Sequence, residues 1–188
     1  ACQQTPTTQT SFTHCMSSKS VKHLMLQFFV SILALLCIAP ISIPLTILPL
    51  TLQTFVLSII AFWFGWTAFW ATLTYIGIGL FGAPVFSGFK SNPDILLSSS
   101  AGFVVGFALL VGLIIWLKTK PKLIPNAFLL FVVAHVALIL FAFLFNTIMG
   151  YAFPSLKFIL LSLLPSLCIK SALAGIVVKQ VSLPHTIR

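Results

Sequence analysis

The chain has 188 residues, of which 60 % are hydrophobic and 6 % are charged, whereas ordinary globular chains are about 45–50 % apolar and about 25 % charged. So few charges cannot cover the surface of a soluble protein of this size, and the abundant aromatic residues exclude a disordered chain. Ten basic residues against one acid give a net charge of +9. The basic residues are scattered singly between apolar runs, which is typical of membrane-protein loops and not of a nucleic-acid-binding surface.

The N-terminal part combines a polar leader with a first apolar helix. Residues 1–20 are rich in Thr, Ser and Gln, and we expect them to form a disordered leader. The next stretch has basic residues before an apolar core, as a signal peptide would. Because several more apolar runs follow it, an uncleaved membrane helix near 21–38 is the better interpretation.

The gaps between charges predict the remaining helices. From His23 to Phe89 there are 67 residues without Asp, Glu, Lys or Arg, and a membrane-spanning helix needs about 20 apolar residues. This run fits three helices, interrupted by a proline cluster and by Gly65. The second to sixth helices are expected at 50–64, 66–81, 95–117, 127–149 and from near Leu156. The predicted fold is an all-α, polytopic membrane protein with six helices in one domain, 21–183, and a short cytoplasmic tail, 184–188.

The distribution of basic residues predicts the orientation of the helices. With a cytoplasmic N-terminus, the inner segments hold seven basic residues and the outer loops hold two, Lys90 and Lys157. Cytoplasmic loops of membrane proteins carry an excess of Lys and Arg. We therefore expect both ends of the chain to lie in the cytoplasm.

Lys170 is the most unusual residue in an apolar segment. A lysine at the centre of a span costs about 2.5–3.5 kcal/mol on insertion scales. If the sixth helix covers 158–178, the lysine reaches towards the inner surface and relieves part of this cost. If Pro165 lies near the first helical position, the helix covers about 166–183, and Lys170 in its outer half faces a pocket with an anionic partner.

Three other polar residues in apolar segments are candidates for a site, each with a structural alternative. Gln53 can hydrogen-bond a polar ligand or satisfy free backbone groups at a helix start. His135 can bind a proton or a metal, but a lone His without a second ligand is more often a packed, hydrogen-bonded side chain. Asn146 is expected to bond a neighbouring helix. No C-x-x-C pair occurs among the four cysteines, so no metal site is predicted.

The segment 82–94 joins the third and fourth helices and is rich in Gly, Pro and aromatic residues. Irregular backbone near membrane depth is tolerated where it is buried in protein or lines a cavity. This segment is therefore either a lid over a small-molecule site or an ordinary surface turn built on Asn92-Pro93-Asp94.

Four motifs in order resemble those of one family. They are Leu48-Pro-Leu-Thr-Leu-Gln-Thr-Phe55, Tyr75-Ile-Gly-Ile-Gly-Leu-Phe-Gly-Ala-Pro-Val-Phe86, Gly102-Phe-Val-Val-Gly-Phe107 and Pro165-Ser-Leu-Cys-Ile-Lys170. They resemble the BioY family, the biotin-specific substrate-binding (S) components of energy-coupling-factor (ECF) vitamin transporters. That family typically reads P-V-T-L-Q-T, Y-x-x-x-G-x-x-G-x-P-V-F, G-P-T-G-G-Y-x-x-G-F and P-G-D-x-x-K.

The resemblance implies a six-helix, S-component-like bundle that binds biotin, with no catalytic residue, metal or cofactor. The implied substrate-binding residues are Gln53, Tyr75, Phe86, Asn92, Asp94, Phe103 and Lys170. A transmembrane coupling (T) subunit and cytoplasmic ATPases would supply the energy, since the sequence has no G-x-x-x-x-G-K-[ST] loop. The expected location is the bacterial inner membrane.

The sequence departs from the family in two places. Phe103 replaces the tyrosine of G-P-T-G-G-Y, and Leu167 replaces the acid of P-G-D-x-x-K, which is expected to accept hydrogen bonds from the polar ring of biotin. We expect Asp94, the only acid of the chain, or Asn92 to take over that role.

Two other functions remain open from the sequence. The departures leave room for an S component or transporter specific for another small vitamin. A membrane-embedded enzyme that uses His135 and Lys170 is a further alternative, but one carboxylate cannot supply the usual acid/base pair.

Overall fold

The computed structural model describes residues 18–43, 50–89, 91, 93–122, 124, 126–151 and 155–182. This part of the chain contains six α-helices, and the all-α prediction is confirmed. The helices are α1 (Ser18–Ile38), α2 (Gln53–Phe64), α3 (Trp66–Leu80), α4 (Ala101–Lys118), α5 (Ala127–Ile148) and α6 (Leu156–Ser182). The last three residues of the leader predicted over 1–20 belong to α1. Residues 1–17 of the leader and the predicted tail 184–188 lie outside the described residues.

Four of these helices, α1, α4, α5 and α6, contain apolar stretches long enough to cross a membrane. The helices α2 and α3 have 12 and 15 residues, or about 18 and 22 Å at 1.5 Å per residue, against a hydrocarbon core of about 30 Å. The protein is therefore a multi-pass membrane protein. The number of six crossings and the cytoplasmic N-terminus stay predictions.

The helices α2 and α3 form a hairpin whose tip is Gly65. This residue is the only one between the two helices and has a φ of 55°, a conformation that glycine adopts at little cost because it has no Cβ. The reversal brings the start of α2 beside α3, where the side chains of Gln53 and Tyr75 are hydrogen-bonded. The predicted break at Gly65 is confirmed.

The core of the bundle lies between α2, α4 and α5, with α6 packed on α5 and α2. Its fully buried side chains are Leu57, Leu110, Val111, Ile114 and Phe131. Helix α1 packs against α3. The opposite face of α1 exposes large apolar side chains, among them Leu26, Phe29 and Leu33. Such a face is stable only in an apolar solvent, which the lipid bilayer provides.

Two short elements occupy positions where the sequence predicted α-helical residues. A short antiparallel pair of strands, β1 (Ser42–Ile43) and β2 (Leu50–Thr51), occupies residues where the second helix was expected to begin. The fourth helix was expected from 95, but a 3-10 helix covers Pro93–Leu97 and α4 begins at Ala101. The hydroxyl of Ser98 donates to the carbonyl of Ile95, a local bond that competes with the α-helical pattern.

Both predicted placements of the sixth helix are wrong in their limits. The helix α6 begins at Leu156, as the start of the apolar stretch indicated, and contains Pro165 in its interior. Proline removes one backbone hydrogen bond from a helix, a loss that membrane helices tolerate. Lys170 consequently lies near the middle of a 27-residue helix and turns towards the interior of the bundle.

Candidate functional site

A cavity of about 540 Å³ lies between α2, α4, α5 and α6, within the usual range of small-molecule sites, about 300–1,000 Å³. The irregular segment after α3 and the residues that precede α4 also contribute to its wall. The lining residues are Thr51, Gln53, Thr54, Phe86, Ser87, Gly88, Ile95, Ser99, Ser100, Phe103, Val104, Phe107, His135, Leu138, Ile139, Leu163, Ser166, Leu167 and Lys170.

The wall of the cavity follows from helical spacing. The lining residues of α6 recur at i, i+3, i+4 and i+7, from Leu163 to Lys170, so they share one face of the helix. Leu167 packs against Ile139 of α5 in a small apolar cluster. The lining thus combines apolar side chains with hydroxyl, amide, imidazole and ammonium groups.

The ammonium of Lys170 is the most strongly polar group that lines the cavity. Its side chain is 7 % exposed, and the ammonium Nζ donates to Thr54 Oγ1 at 3.1 Å and to Thr51 Oγ1 at 3.4 Å. Two neutral hydroxyls solvate the ammonium in part but do not neutralise its charge. An anionic or strongly polar acceptor in the cavity would lower the cost of burying this charge.

Gln53 is held in place by a relay of hydrogen bonds. Its Nε2 donates to the hydroxyl of Tyr75 at 2.9 Å, and that hydroxyl donates to the carbonyl of Val85 at 2.7 Å. Tyr75 is fully buried and does not line the cavity. It ties the start of α2 to the segment that closes the cavity, so it supports the wall from behind.

Phe86 brings the closing segment into contact with α3. Its ring meets that of Tyr75 edge to face, with centroids 5.7 Å apart. A Cβ added at Gly79 would lie 2.4 Å from two atoms of the Phe86 ring. The motif that contains Tyr75, Gly79 and Phe86 thus encodes one packed unit, in which the glycine leaves room for the ring.

The rest of the segment 82–94 is described only in part. Phe86, Ser87 and Gly88 line the cavity, and the amide of Gly88 donates to the carbonyl of Pro40 at 2.9 Å. These three residues therefore form part of the cavity wall, and the lid interpretation stays a prediction. Asn92 and the side chain of Asp94 lie outside the described residues, and their predicted roles stay predictions.

The two polar residues of α5 have different surroundings. Asn146 donates from Nδ2 to the carbonyl of Ser99 and accepts from the amide of Gly102, so its predicted bond to a neighbouring helix is confirmed. His135 lines the cavity, and its Nδ1 is 2.7 Å from the carbonyl of Phe131. Among the described residues, His, Cys, Asp and Glu form no cluster of three or more that could hold a metal.

Sequence reasoning found part of the site. Of the predicted binding residues, the structure brings Gln53, Phe86, Phe103 and Lys170 together in the cavity. Sequence reasoning missed Thr51 and Thr54, which flank Gln53 in the sequence and could have been found from that motif. Sequence reasoning also missed the contribution of Leu163 and Ser166, which the spacing from Leu163 to Lys170 places on the same face of α6.

The fold and the cavity define a multi-pass membrane protein with a cavity of small-molecule size, which an irregular segment helps to line and which contains a buried ammonium group. The chain belongs to the BioY family, whose model matches residues 8–184. The resemblance noted in the sequence is confirmed.

Individual relatives match shorter stretches. Biotin transporter BioY2 of Lactococcus lactis subsp. cremoris is 34 % identical over 105 residues, which are 54 % of this chain and 57 % of that protein. Probable biotin transporter BioY of Rickettsia prowazekii is 34 % identical over 96 residues, 50 % of this chain and 48 % of that protein. The matches to these two curated relatives thus span about half of their length.

A solved structure extends the comparison to the whole fold. The S-component for biotin from an ECF-type ABC transporter superposes with a TM-score of 0.63, covering 92 % of this chain and 95 % of that chain at 19 % sequence identity. This likeness shows a shared fold. The two named relatives are a biotin transporter and a probable biotin transporter.

Proposed function

We propose that this protein is the substrate-binding membrane subunit of a biotin uptake system. Membership of the BioY family and an enclosed cavity of suitable size support this function. The single observation that carries the proposal is the buried Lys170 ammonium in the cavity, whose described partners are two hydroxyl groups. Ionisable residues inside membrane helices are rare and mark substrate or ion pathways.

The cavity offers biotin a complementary surface. Biotin has an apolar fused ring system, a polar ureido group and a carboxylate chain. The rings would pack against Phe86, Phe103 and the apolar face of α6, while Lys170 donates to an oxygen of the ureido group or of the carboxylate. Gln53, fixed by Tyr75, adds a second polar contact. Tyr75 acts here as a positioning residue and not as a ligand contact.

Energy for uptake would come from other chains. We propose a transmembrane coupling (T) subunit and a pair of cytoplasmic ATPases as partners, and the bacterial inner membrane as the location. The S-component fold of the solved relative supports this assembly. If both ends of the chain are cytoplasmic, the segment 82–94 lies on the outer side of the membrane. The ligand would then enter the cavity from the outside, at the end that this segment lines.

Direct binding of biotin to detergent-purified protein tests the proposed function. We expect saturable binding, measured by equilibrium dialysis with labelled biotin, and a rise in the unfolding temperature Tm when biotin is added, because a ligand that binds only the folded state stabilises it. Absence of both effects would refute the proposal.

A second ligand is favoured by one specific observation. Leu167 lines the cavity at the position where the resemblance expects an acid, so the site differs from the family at a place where it contacts the ligand. Competition of labelled biotin by thiamine, riboflavin or lipoate separates the two ligand assignments. Displacement by one of these vitamins at lower concentration than by unlabelled biotin would support the alternative.

Asn92 and Asp94 remain part of the proposed site, in which one of them accepts a hydrogen bond from a ureido N–H group. Asp94 is the only acid of the chain, and Asp94→Ala should weaken biotin binding tenfold or more if this carboxylate replaces the acid lost at Leu167. Unchanged affinity of the purified variant in the same dialysis assay would remove this role.

A further inference from the structure

The imidazole ring of His135 lines the cavity with one of its nitrogens unpartnered. The Nδ1–H group donates to the carbonyl of Phe131 one turn earlier, at 2.7 Å. The other nitrogen, Nε2, is buried and has no hydrogen-bond partner among the described residues. In a neutral imidazole with a hydrogen on Nδ1, Nε2 can only accept. His135 therefore lines the cavity and retains one acceptor atom that has no partner among the described residues.

Burial makes this acceptor exceptional. His135 is 5 % exposed, and a buried polar atom without a partner destabilises the fold by the cost of its desolvation. Two other described side chains have such an atom, Trp63 and Ser171, but neither lines the cavity. His135 is the described residue in which an unpartnered buried atom coincides with the site.

His135 and Lys170 are placed to act on one chemical group. His135 lies 13 residues before the end of α5 and Lys170 lies 14 residues after the start of α6, distances of about 20 and 21 Å at 1.5 Å per residue. These two helix ends are joined by a short connection and the helices pack together. The two side chains therefore lie at about the same depth, on the same cavity.

The two groups also have complementary chemistry. Lys170 can only donate, and Nε2 of the neutral His135 ring can only accept. The neutral form of the ring is the one favoured beside a buried ammonium, since two like charges in one cavity repel. A ligand group with a carbonyl oxygen next to an N–H, such as a cyclic urea or an amide, satisfies both residues at once.

We propose that His135 Nε2 accepts a hydrogen bond from an N–H group of the bound ligand and thereby selects a urea- or amide-type head group. This inference rests on the proposed function, and for biotin the donor is a ureido N–H. The apolar residues Leu138, Ile139 and Leu167 line the same cavity, and exclusion of water by such neighbours strengthens the hydrogen bond. His135 is a specificity-determining residue because a ligand without this donor would leave Nε2 unpaired.

The test compares biotin binding to the purified full-length protein and three variants. His135→Leu removes the acceptor at similar volume, and His135→Gln keeps an acceptor in place of Nε2. Trp63→Phe is the matched control, since it removes a buried unpartnered polar atom that does not line the cavity. We expect a loss of affinity of about tenfold for His135→Leu, the size of one hydrogen bond, a smaller loss for His135→Gln and no change for Trp63→Phe.

A spectroscopic measurement on the wild-type protein makes the test independent of folding of the variants. With ¹⁵N-labelled histidine, the Nε2 resonance of His135, assigned by its absence in His135→Gln, should shift when biotin is added. A hydrogen bond to this nitrogen moves the resonance, whereas a purely structural histidine would not respond.

The outcomes separate the two levels of the proposal. Wild-type binding with an unchanged His135→Leu affinity, or with an unmoved Nε2 resonance, overturns the role of His135 and leaves the proposed function intact. Failure of the wild-type protein to bind biotin refutes the proposed function, and the assignment of His135 to the ureido group falls with it.

Discussion

Two lysines in similar apolar helices occupy opposite kinds of environment. Lys118 is the last residue of α4 and is exposed. Its ammonium donates to the carbonyl of Phe62 and lies 4.5 Å from the centre of the Phe62 ring. Lys170 lies in the middle of α6, is buried, and donates to two threonine hydroxyls inside the cavity.

The difference separates an anchor from the proposed binding group. A lysine at a helix end keeps its ammonium near water and lays its aliphatic chain on apolar surface. It also fulfils the preference for cations at a helix C-terminus. A lysine at mid-helix has neither advantage, so its burial destabilises the ligand-free protein. A bound ligand that accepts hydrogen bonds from the ammonium would offset this destabilisation. The two lysines therefore differ in their position along the helix and in the burial of their side chains.

The largest effect is expected from removal of the buried charge. Lys170→Met should weaken biotin binding about 100-fold, because a charge-assisted hydrogen bond contributes about 1.5–3 kcal/mol. The ligand-free variant should unfold at the same or a higher temperature, since the uncompensated charge is gone. Equilibrium dialysis and thermal unfolding measure the two quantities. A variant with lower Tm and unchanged affinity would show that Lys170 is structural.

An intermediate effect is expected behind the cavity wall. Tyr75→Phe removes the acceptor of Gln53 Nε2 and the donor to the Val85 carbonyl, and leaves the ring that packs on Phe86. We expect affinity to fall about tenfold, because both α2 and the closing segment lose a fixed position. The same assay on Gln53→Ala distinguishes the roles: because Tyr75 also holds Val85, the double variant should bind more weakly than Gln53→Ala, and equal affinities would show that Tyr75 acts only through Gln53.

A smaller effect is expected from the hydroxyls that hold the ammonium. Thr54→Val removes the acceptor at 3.1 Å from Lys170 Nζ without a change of shape, and affinity should fall about threefold, within the range of a single hydrogen bond. Thr51→Val removes the longer contact of 3.4 Å and should cost less. An equal or larger loss for Thr51→Val would contradict the geometry on which this order depends.

The smallest effect is expected at the anchor. Lys118→Met should leave biotin affinity within twofold of the wild-type value, since the residue does not line the cavity. Loss of its contact with the Phe62 ring should lower Tm by a few degrees, because an exposed cation–π contact contributes about 0.5–1 kcal/mol. A tenfold loss of binding here would abolish the distinction between the two lysines.

Much of the fold could be predicted because lipid imposes simple rules on sequence. The apolar runs predicted four of the helices, α1, α2, α3 and α5, to within three residues at either end. The fourth helix was predicted six residues too early, since Ser98 and its neighbours are uncharged and composition alone does not separate a 3-10 turn from an α-helix. The strand pair next to α2 was missed because a two-residue strand carries no periodicity.

The site was harder to predict than the fold. Lys170 could be singled out because a charge inside an apolar run is costly wherever it points. Its surroundings could not, since both Thr51 and Thr54 lie more than a hundred residues away in the chain. Tyr75 was expected to contact a ligand, but the structure places it behind Gln53, and a motif does not reveal which of its members faces inward.

By itself, the sequence determined that this is a helical membrane protein and that one lysine lies in an apolar segment, because hydrophobicity and charge act locally along the chain. Only the tertiary structure decided what meets in the cavity. The acceptor of His135 and the donor of Lys170 come together because α5 and α6 pack side by side at a matching depth. Such a pairing depends on distances across space, which residue order does not contain.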